Sequence, residues 1–129
     1  MSIEDRAMDV LLVDDDEASR FLAKRALREV PDVTIHEAGN GEHAISFLDA
    51  RRVDVVLTDF KMGLRNGVDV LCHAMRVQPH ARRILMSGTL ALAQLDKEAH
   101  RACVDHAFEK PLGREAWHDA LRLALRETA

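Results

Sequence analysis

The chain has no tyrosine, one tryptophan and four phenylalanines in 129 residues, so aromatics make up only 4% of it. Leu, Val, Ile and Ala must therefore build whatever core it has. Cysteine is equally scarce. Cys72 and Cys103 sit in apolar, helix-like patterns and form no Cys-x-x-Cys motif. They read as small buried hydrophobes in a reducing compartment rather than as a disulfide or a redox site. No apolar run approaches the roughly 18 residues of a membrane span. The opening Met1-Ser2-Ile3-Glu4-Asp5-Arg6 is too acidic and polar for a signal peptide, which makes the cytoplasm the expected compartment. Positive charge is not in excess either. A net charge of −4 argues against nucleic acid as a direct partner.

What remains is the composition of one globular domain, 47% hydrophobic and 31% charged. The whole chain, 1–129, reads as a single unit with its core between about 8 and 126, and shows no repeat or linker. Met8 to Val13 is an apolar run suited to a strand covered on both faces, stopped by Asp14-Asp15-Asp16-Glu17. A helix is predicted from about Ala18 to Val30, with Leu22, Ala23, Ala26, Leu27 and Val30 on one face, ended by Pro31-Asp32. Val33 to Ala38 is a second strand and Glu42 to Ala50 a second helix, with Ala44, Ile45 and Leu48 inward. Val53 to Asp59 is a third strand. After a loop with two glycines comes a helix from Val68 to Val77, its apolar side formed by Val70, Leu71, Ala74 and Met75. Arg83 to Ser87, a helix near Ala91 to Ala102 (using Leu92, Leu95, Ala99 and Cys103), Asp105 to Glu109 and a last helix from Arg114 to about Arg126 complete the chain. That helix carries Trp117, Ala120, Leu121, Ala124 and Leu125 at core spacing. Strand and helix thus alternate five times, a (βα)5 pattern that calls for an α/β, doubly wound parallel sheet.

In such sheets ligands bind beyond the carboxyl ends of the strands. Asp14 and Asp15 follow the first strand, Asp59 ends the third, Ser87 the fourth, and Lys110 follows the fifth. A carboxylate closing an apolar strand costs desolvation energy and usually has a partner or a task. Three carboxylates brought together repel, and a hard cation such as Mg²⁺ (or Mn²⁺) relieves this through oxygen ligands. Asp15 and Asp59 are expected to bind it directly, Asp14 through a water, and Lys61 through its backbone carbonyl. Such a site can receive a phosphoryl group, with Asp59 as nucleophile and with Lys110 and Ser87 on phosphoryl oxygens. Taken singly, the acidic run is a helix N-terminal cluster, and Ser87-Gly88 and Lys110-Pro111 are surface turns; Asp16 and Glu17 are cap residues. The seven histidines show no metal-ligand spacing. The pairs Arg51-Arg52 and Arg82-Arg83 read as solvated charges flanking strands.

From Val10 to Leu125 the chain resembles a receiver domain of the two-component response regulators, of the chemotaxis-regulator kind. The resemblance is carried by Leu11-Leu12-Val13-Asp14-Asp15, Asp59 with Asn66-Gly67, Met86-Ser87-Gly88 and Glu109-Lys110-Pro111, with 44 positions from Asp15 to Asp59 and 51 from Asp59 to Lys110. It implies the flavodoxin-like strand order 2-1-3-4-5. It also implies Asp59 as phosphorylation site, Asp14 and Asp15 as acidic pair, Ser87 as switch hydroxyl, and Lys110 followed by a cis bond to Pro111. Three departures stand out. Gly63 replaces the proline that often follows the Met of the phosphorylation loop. Ala107 replaces the switch aromatic, and alternation sends the neighbouring Phe108 to the other face. Lys61 lies two positions after Asp59, where the family tunes phosphoryl lifetime; it is either a shield for the acyl phosphate or a solvated surface lysine.

The resemblance further implies a signalling phosphoacceptor rather than an enzyme, catalysing at most its own phosphorylation and dephosphorylation. Its donor would be a sensor histidine kinase or a histidine phosphotransfer protein. A downstream protein target would follow, with a phosphorylation-dependent dimer among the outputs. Two alternatives remain open. One is a degenerate receiver that binds a partner without phosphorylation. The other is a haloacid-dehalogenase-type phosphatase built on Asp14-x-Asp16, although Ala18 stands where Thr or Val is expected. The last helix leaves no room for an output domain, so the chain reads as a single-domain regulator or a piece of a longer one.

Overall fold

The computed structural model describes residues 7–63, 65–88, 103–110 and 113–128, with side chains as far as position 122. Five strands form one sheet: β1 (Met8–Val13), β2 (Val33–Ala38), β3 (Val55–Asp59), β4 (Arg82–Ser87) and β5 (His106–Glu109). Their order is β2-β1-β3-β4-β5, and every pair is parallel. The described helices are α1 (Glu17–Leu27), α2 (Gly41–Ala50), α3 (Gly67–Val77) and α4 (Arg114–Thr128). The helix predicted near 91–102 and the Lys110–Pro111 bond fall outside the described residues.

Apolar runs without alternation become central strands because both faces of the sheet are covered. Leu11, Val13, Val56 and Leu85 point to one face and meet Ala44 and Leu48 of α2 and Val70, Leu71 and Ala74 of α3. Val10, Leu12, Val55, Leu57, Ile84 and Met86 point to the other, against Ala23 and Leu27 of α1 and Trp117 and Leu121 of α4. The edge strands β2 and β5 are only partly buried. Neighbouring residues of a strand thus serve different cores, and one sheet holds two layers of helices.

Four local expectations need correction. Helix α1 stops at Leu27, and Leu22 is 61% exposed, because the helix buries only the narrow arc of Ala23, Ala26 and Leu27. Strand β3 begins at Val55; Val53 and Asp54 lie before it, and Asp54 is buried, its N–H donating to the Asp9 carbonyl of β1 and its carboxylate accepting the Asp9 N–H. Arg83 is buried rather than solvated. Its guanidinium donates to the carbonyls of Cys103, Ala81 and Pro79 and to Asp105, which absorbs donors that a buried arginine cannot leave idle. Finally, Cys72 and Cys103 are joined as a disulfide, since α3 and the residues leading into β5 pack on the same sheet face with their Cα atoms 4.9 Å apart.

A second buried polar group organises the end of the sheet remote from Asp59. Gln78 follows α3, accepts from the Val53 N–H at 2.8 Å, and donates to the carbonyls of Leu48 and Arg51 at 2.8 and 2.6 Å. One amide thereby satisfies the end of α2, the loop after it and the approach to β3.

Candidate functional site

The parallel order brings the carboxyl ends of β1, β3, β4 and β5 to one edge. Asp14 and Asp15 leave β1, Asp59 ends β3, Ser87 ends β4 and Lys110 follows β5. All the polar strand-end residues picked out from sequence therefore meet at one end of the sheet.

Asp14 is buried and tightly held. Its Oδ1 accepts the N–H of Asp16, its Oδ2 faces Lys110 Nζ at 3.2 Å, and its own N–H donates to the Ala38 carbonyl. Asp15 is exposed. Asp16 is the N-cap of α1, its side chain accepting from the Ala18 N–H, and Glu17 lies in the first turn. Asp59 is half-buried; its Oδ1 accepts from the Phe60 N–H at 2.9 Å and lies 3.4 Å from Lys110 Nζ. Burial pushes the Asp59 carboxyl above its ordinary range, with Asp14 adding to the effect, while Lys110 and the Phe60 N–H oppose it. Asp14, Asp15 and Asp59 each bring a carboxylate oxygen to within 4.8 Å of the others. A set made only of oxygen donors, carrying three negative charges, fits a hard divalent cation. The single ammonium of Lys110 serves Asp14 and Asp59 at once.

Ser87 is buried, and its carbonyl accepts the Lys110 N–H at 2.8 Å, so the hydroxyl residue and the lysine are coupled through the β4–β5 ladder. Lys61 is exposed in the loop after Asp59. Gly63 has φ +51°, which a proline ring fixed near −65° cannot adopt, so its departure from the family pattern matches the loop that is built here. Ala107 is exposed, while Phe108 packs on the α1/α4 core. The aromatic is on the wrong face to report on Ser87, as alternation requires.

Two further contributors on α1, Ser19 and Arg20, were missed in the sequence. The Ser19 hydroxyl lies 3.4 Å from Lys110 Nζ. Arg20 donates to the Asp14 carbonyl at 2.7 Å and to Glu37 at 3.2 Å, and Lys24 pairs with Glu37 at 2.7 Å. The hydrogen bond from Lys24, backed by Arg20, holds the Glu37 carboxyl below its usual range against the opposing effect of burial. Gly67, known from the sequence only as part of the Asn66-Gly67 motif, has its place set by the backbone of Asp59. The available signal for Ser19 and Arg20 was position: both follow the Asp16 cap by three and four residues, in the turn that overhangs the end of β1.

With this geometry in view, the likenesses to known proteins fall into line. A family model described as the response regulator receiver domain matches residues 10–122. The chemotaxis protein CheY of Halobacterium salinarum is 30% identical over 115 residues, covering 89% of this chain and 94% of that protein. The autoinducer 1 sensor kinase/phosphatase LuxN of Vibrio campbellii is 31% identical over 111 residues, 86% of this chain but only 13% of the relative's length. Among solved structures, the signal receiver domain of an HD domain-containing protein from Pseudomonas fluorescens Pf-5 superposes with a TM-score of 0.82 at 25% identity, covering 95% of this chain and 98% of that one. Among the described residues no helix is long and apolar enough to cross a membrane.

Proposed function

The chain belongs to the response regulator receiver domain family, and on that premise we propose that it is a phosphoacceptor in a two-component phosphorelay, with Asp59 as the acceptor. The observation that carries this reading is the convergence of Asp14, Asp15 and Asp59 within 4.8 Å, with Lys110 bridging two of them. Oδ1 of Asp59 is held by Phe60 and faces Lys110, so Oδ2 is assigned as the attacking atom. It forms a bond to phosphorus as the P–N bond of a donor phosphohistidine breaks; the imidazole nitrogen keeps the electron pair and takes a proton from solvent. Asp14, Asp15, Asp59 and the Lys61 carbonyl would hold Mg²⁺ or Mn²⁺, which when bound offsets charge on the phosphoryl oxygens. Lys110 pairs with one phosphoryl oxygen and Ser87 donates to another. Arg20 and Ser19 position the acidic pair and the lysine from α1.

The donor proposed is a sensor histidine kinase or a histidine phosphotransfer protein in the cytoplasm, and the output is a change in protein contacts. The chain acts on no other substrate in this reading. Exposed Ala107 favours a second version, in which the domain binds its partner without a phosphoryl signal, because the side chain that would report on Ser87 is absent. Incubation with a divalent cation and a small-molecule phosphodonor decides between them. The parent should gain one phosphoryl mass and Asp59→Asn none. No gain in the parent would select the binding-module version, and phosphate-ester turnover dependent on Asp14 would select a phosphatase.

A further inference from the structure

Cys72 and Cys103 play no part in the chemistry at Asp59, yet they are bonded to each other. Each is positioned by contacts that do not depend on the sulfur bond. Cys72 lies in the middle of α3, between Leu71, which is fully buried, and His73, in a helix whose start is closed by the Asn66–Asp69 capping box. Cys103 is held through its carbonyl by the guanidinium of Arg83, which also grips the carbonyls of Pro79 and Ala81 and the carboxylate of Asp105. The backbone N–H of Arg83 closes the same circuit onto Asp105. The backbones that carry the two sulfurs are thus fixed 4.9 Å apart at Cα by a helix and a buried arginine. Breaking the S–S bond leaves both anchors in place. The surroundings are apolar and suit two thiols as well as a disulfide, since free cysteine packs as a small hydrophobe. Exposure differs between the two: Cys103 is buried, whereas Cys72 is only partly so. An external reagent therefore meets Cys72 first.

We propose that Cys72 and Cys103 are a reversible thiol–disulfide site that exchanges with a low-molecular-weight thiol–disulfide couple of the glutathione class while the domain stays folded. The Cys72 thiolate attacks the small disulfide, forms a mixed disulfide and releases one small thiolate. The Cys103 thiolate then attacks the Cys72 sulfur, forms the internal bond and expels the second. Two protein thiols are oxidised, and one small disulfide is reduced to two thiols. The proposal rests on the cytoplasmic reading above only in that a disulfide in a reducing compartment is a transient, exchanging one.

The test begins with the full chain reduced, desalted and returned to native buffer, then equilibrated with graded ratios of reduced to oxidised glutathione. Acid quenching, alkylation and mass measurement count the free thiols. Both thiols should disappear together along the series with a single midpoint, in monomeric protein and with unchanged circular dichroism. Two variants test the order of attack. Cys103→Ser should accumulate one glutathionyl adduct, which cannot resolve, and Cys72→Ser should stay largely unmodified until denaturant is added. Retention of both thiols at every ratio, closure only in denaturant, or closure only between chains would overturn the proposal. Thiol counting requires no phosphorylation, so its failure and that of the Asp59 reading are separately visible.

Discussion

The first residue of α3, Gly67, lies against the backbone of Asp59 so closely that a Cβ there would sit 2.1 Å from the Asp59 carbonyl oxygen. The Gly67 N–H also donates to the Phe60 carbonyl at 2.7 Å, which closes the loop onto the strand end. The obstruction is backbone, so no rotamer relieves it; the helix or the strand must shift. Gly67→Ala should destabilise the domain by about 2–4 kcal/mol, the scale of an overpacked core site. It should also lower phosphoryl uptake at Asp59 in the fraction that remains folded. Urea unfolding followed by phosphodonor labelling would measure both.

Asp59 itself is held in an unfavourable state. Burial and the nearby Asp14 raise its carboxyl above the ordinary range. Below about pH 4 the carboxyl is protonated in both folded and unfolded chains and contributes nothing. As pH rises, the unfolded chain ionises first, so the folded state loses stability until pH passes the folded value. Asp59→Asn removes that penalty and should stabilise the domain by about 1 kcal/mol at pH 7, a usual size for relief at a functional position. The gain should vanish near pH 3.5. Unfolding curves at several pH values, with chelator present so that no cation offsets the repulsion, would show it.

The Glu37 cluster has the opposite sign. Its carboxyl is held below the usual range by Lys24 and Arg20, so the stabilisation is present above about pH 4 and is lost as pH falls through the folded value. Because the side chain of Glu37 is 34% exposed, solvent screens the pair, and Glu37→Gln should cost no more than about 0.5 kcal/mol at neutral pH. The cost should shrink further in high salt. A salt series of unfolding midpoints in parent and variant would test it.

Much of the fold was legible because each layer left a separable mark. Val10 and Leu12 serve one core and Leu11 and Val13 the other, and a strand without alternation announces such a doubly covered sheet. The strand-end residues were legible too, because parallel topology sends every carboxyl end to the same edge. Other features depend on contacts between distant segments. Nothing near Arg83 in sequence announces the Cys103 carbonyl, and nothing near Cys72 announces its partner 31 positions away. Leu22 fits a helical stripe as well as Ala23 does; only the width of the surface under α1 excludes it. Gly67 was visible as a motif letter, but the reason for it is a backbone approach that no spacing encodes.

Gln78 makes this dependence on long-range contacts measurable. Its amide bonds groups 25 to 30 positions away, in the last turn of α2, just past that helix and on the approach to β3. Gln78→Leu keeps the volume but strands the Val53 N–H and the Leu48 carbonyl in a buried place. Leaving such groups unpaired costs about 1–3 kcal/mol, and the variant should lose about that much in urea unfolding. Phosphoryl uptake at Asp59 should survive, because the amide lies at the opposite end of the sheet.

Lys61 is the position where sequence and geometry bear most directly on timing. It is exposed, two residues past Asp59, in a loop whose next turn is made by Gly63 in a left-handed conformation. A four-carbon chain starting there is long enough to reach over the end of β3. Its ammonium would be drawn to a phosphoryl group on Asp59 and would crowd the path of the attacking water. Lys61→Ala should therefore shorten the phosphoryl lifetime severalfold without changing stability beyond about 0.5 kcal/mol, the usual range for an exposed side chain. Lys61→Arg, which keeps charge and reach, should stay close to the parent. Decay of the phosphorylated species by mass spectrometry, in all three proteins at one cation concentration, is the direct measurement. Equal lifetimes in the parent and the alanine variant would reduce Lys61 to a solvated lysine.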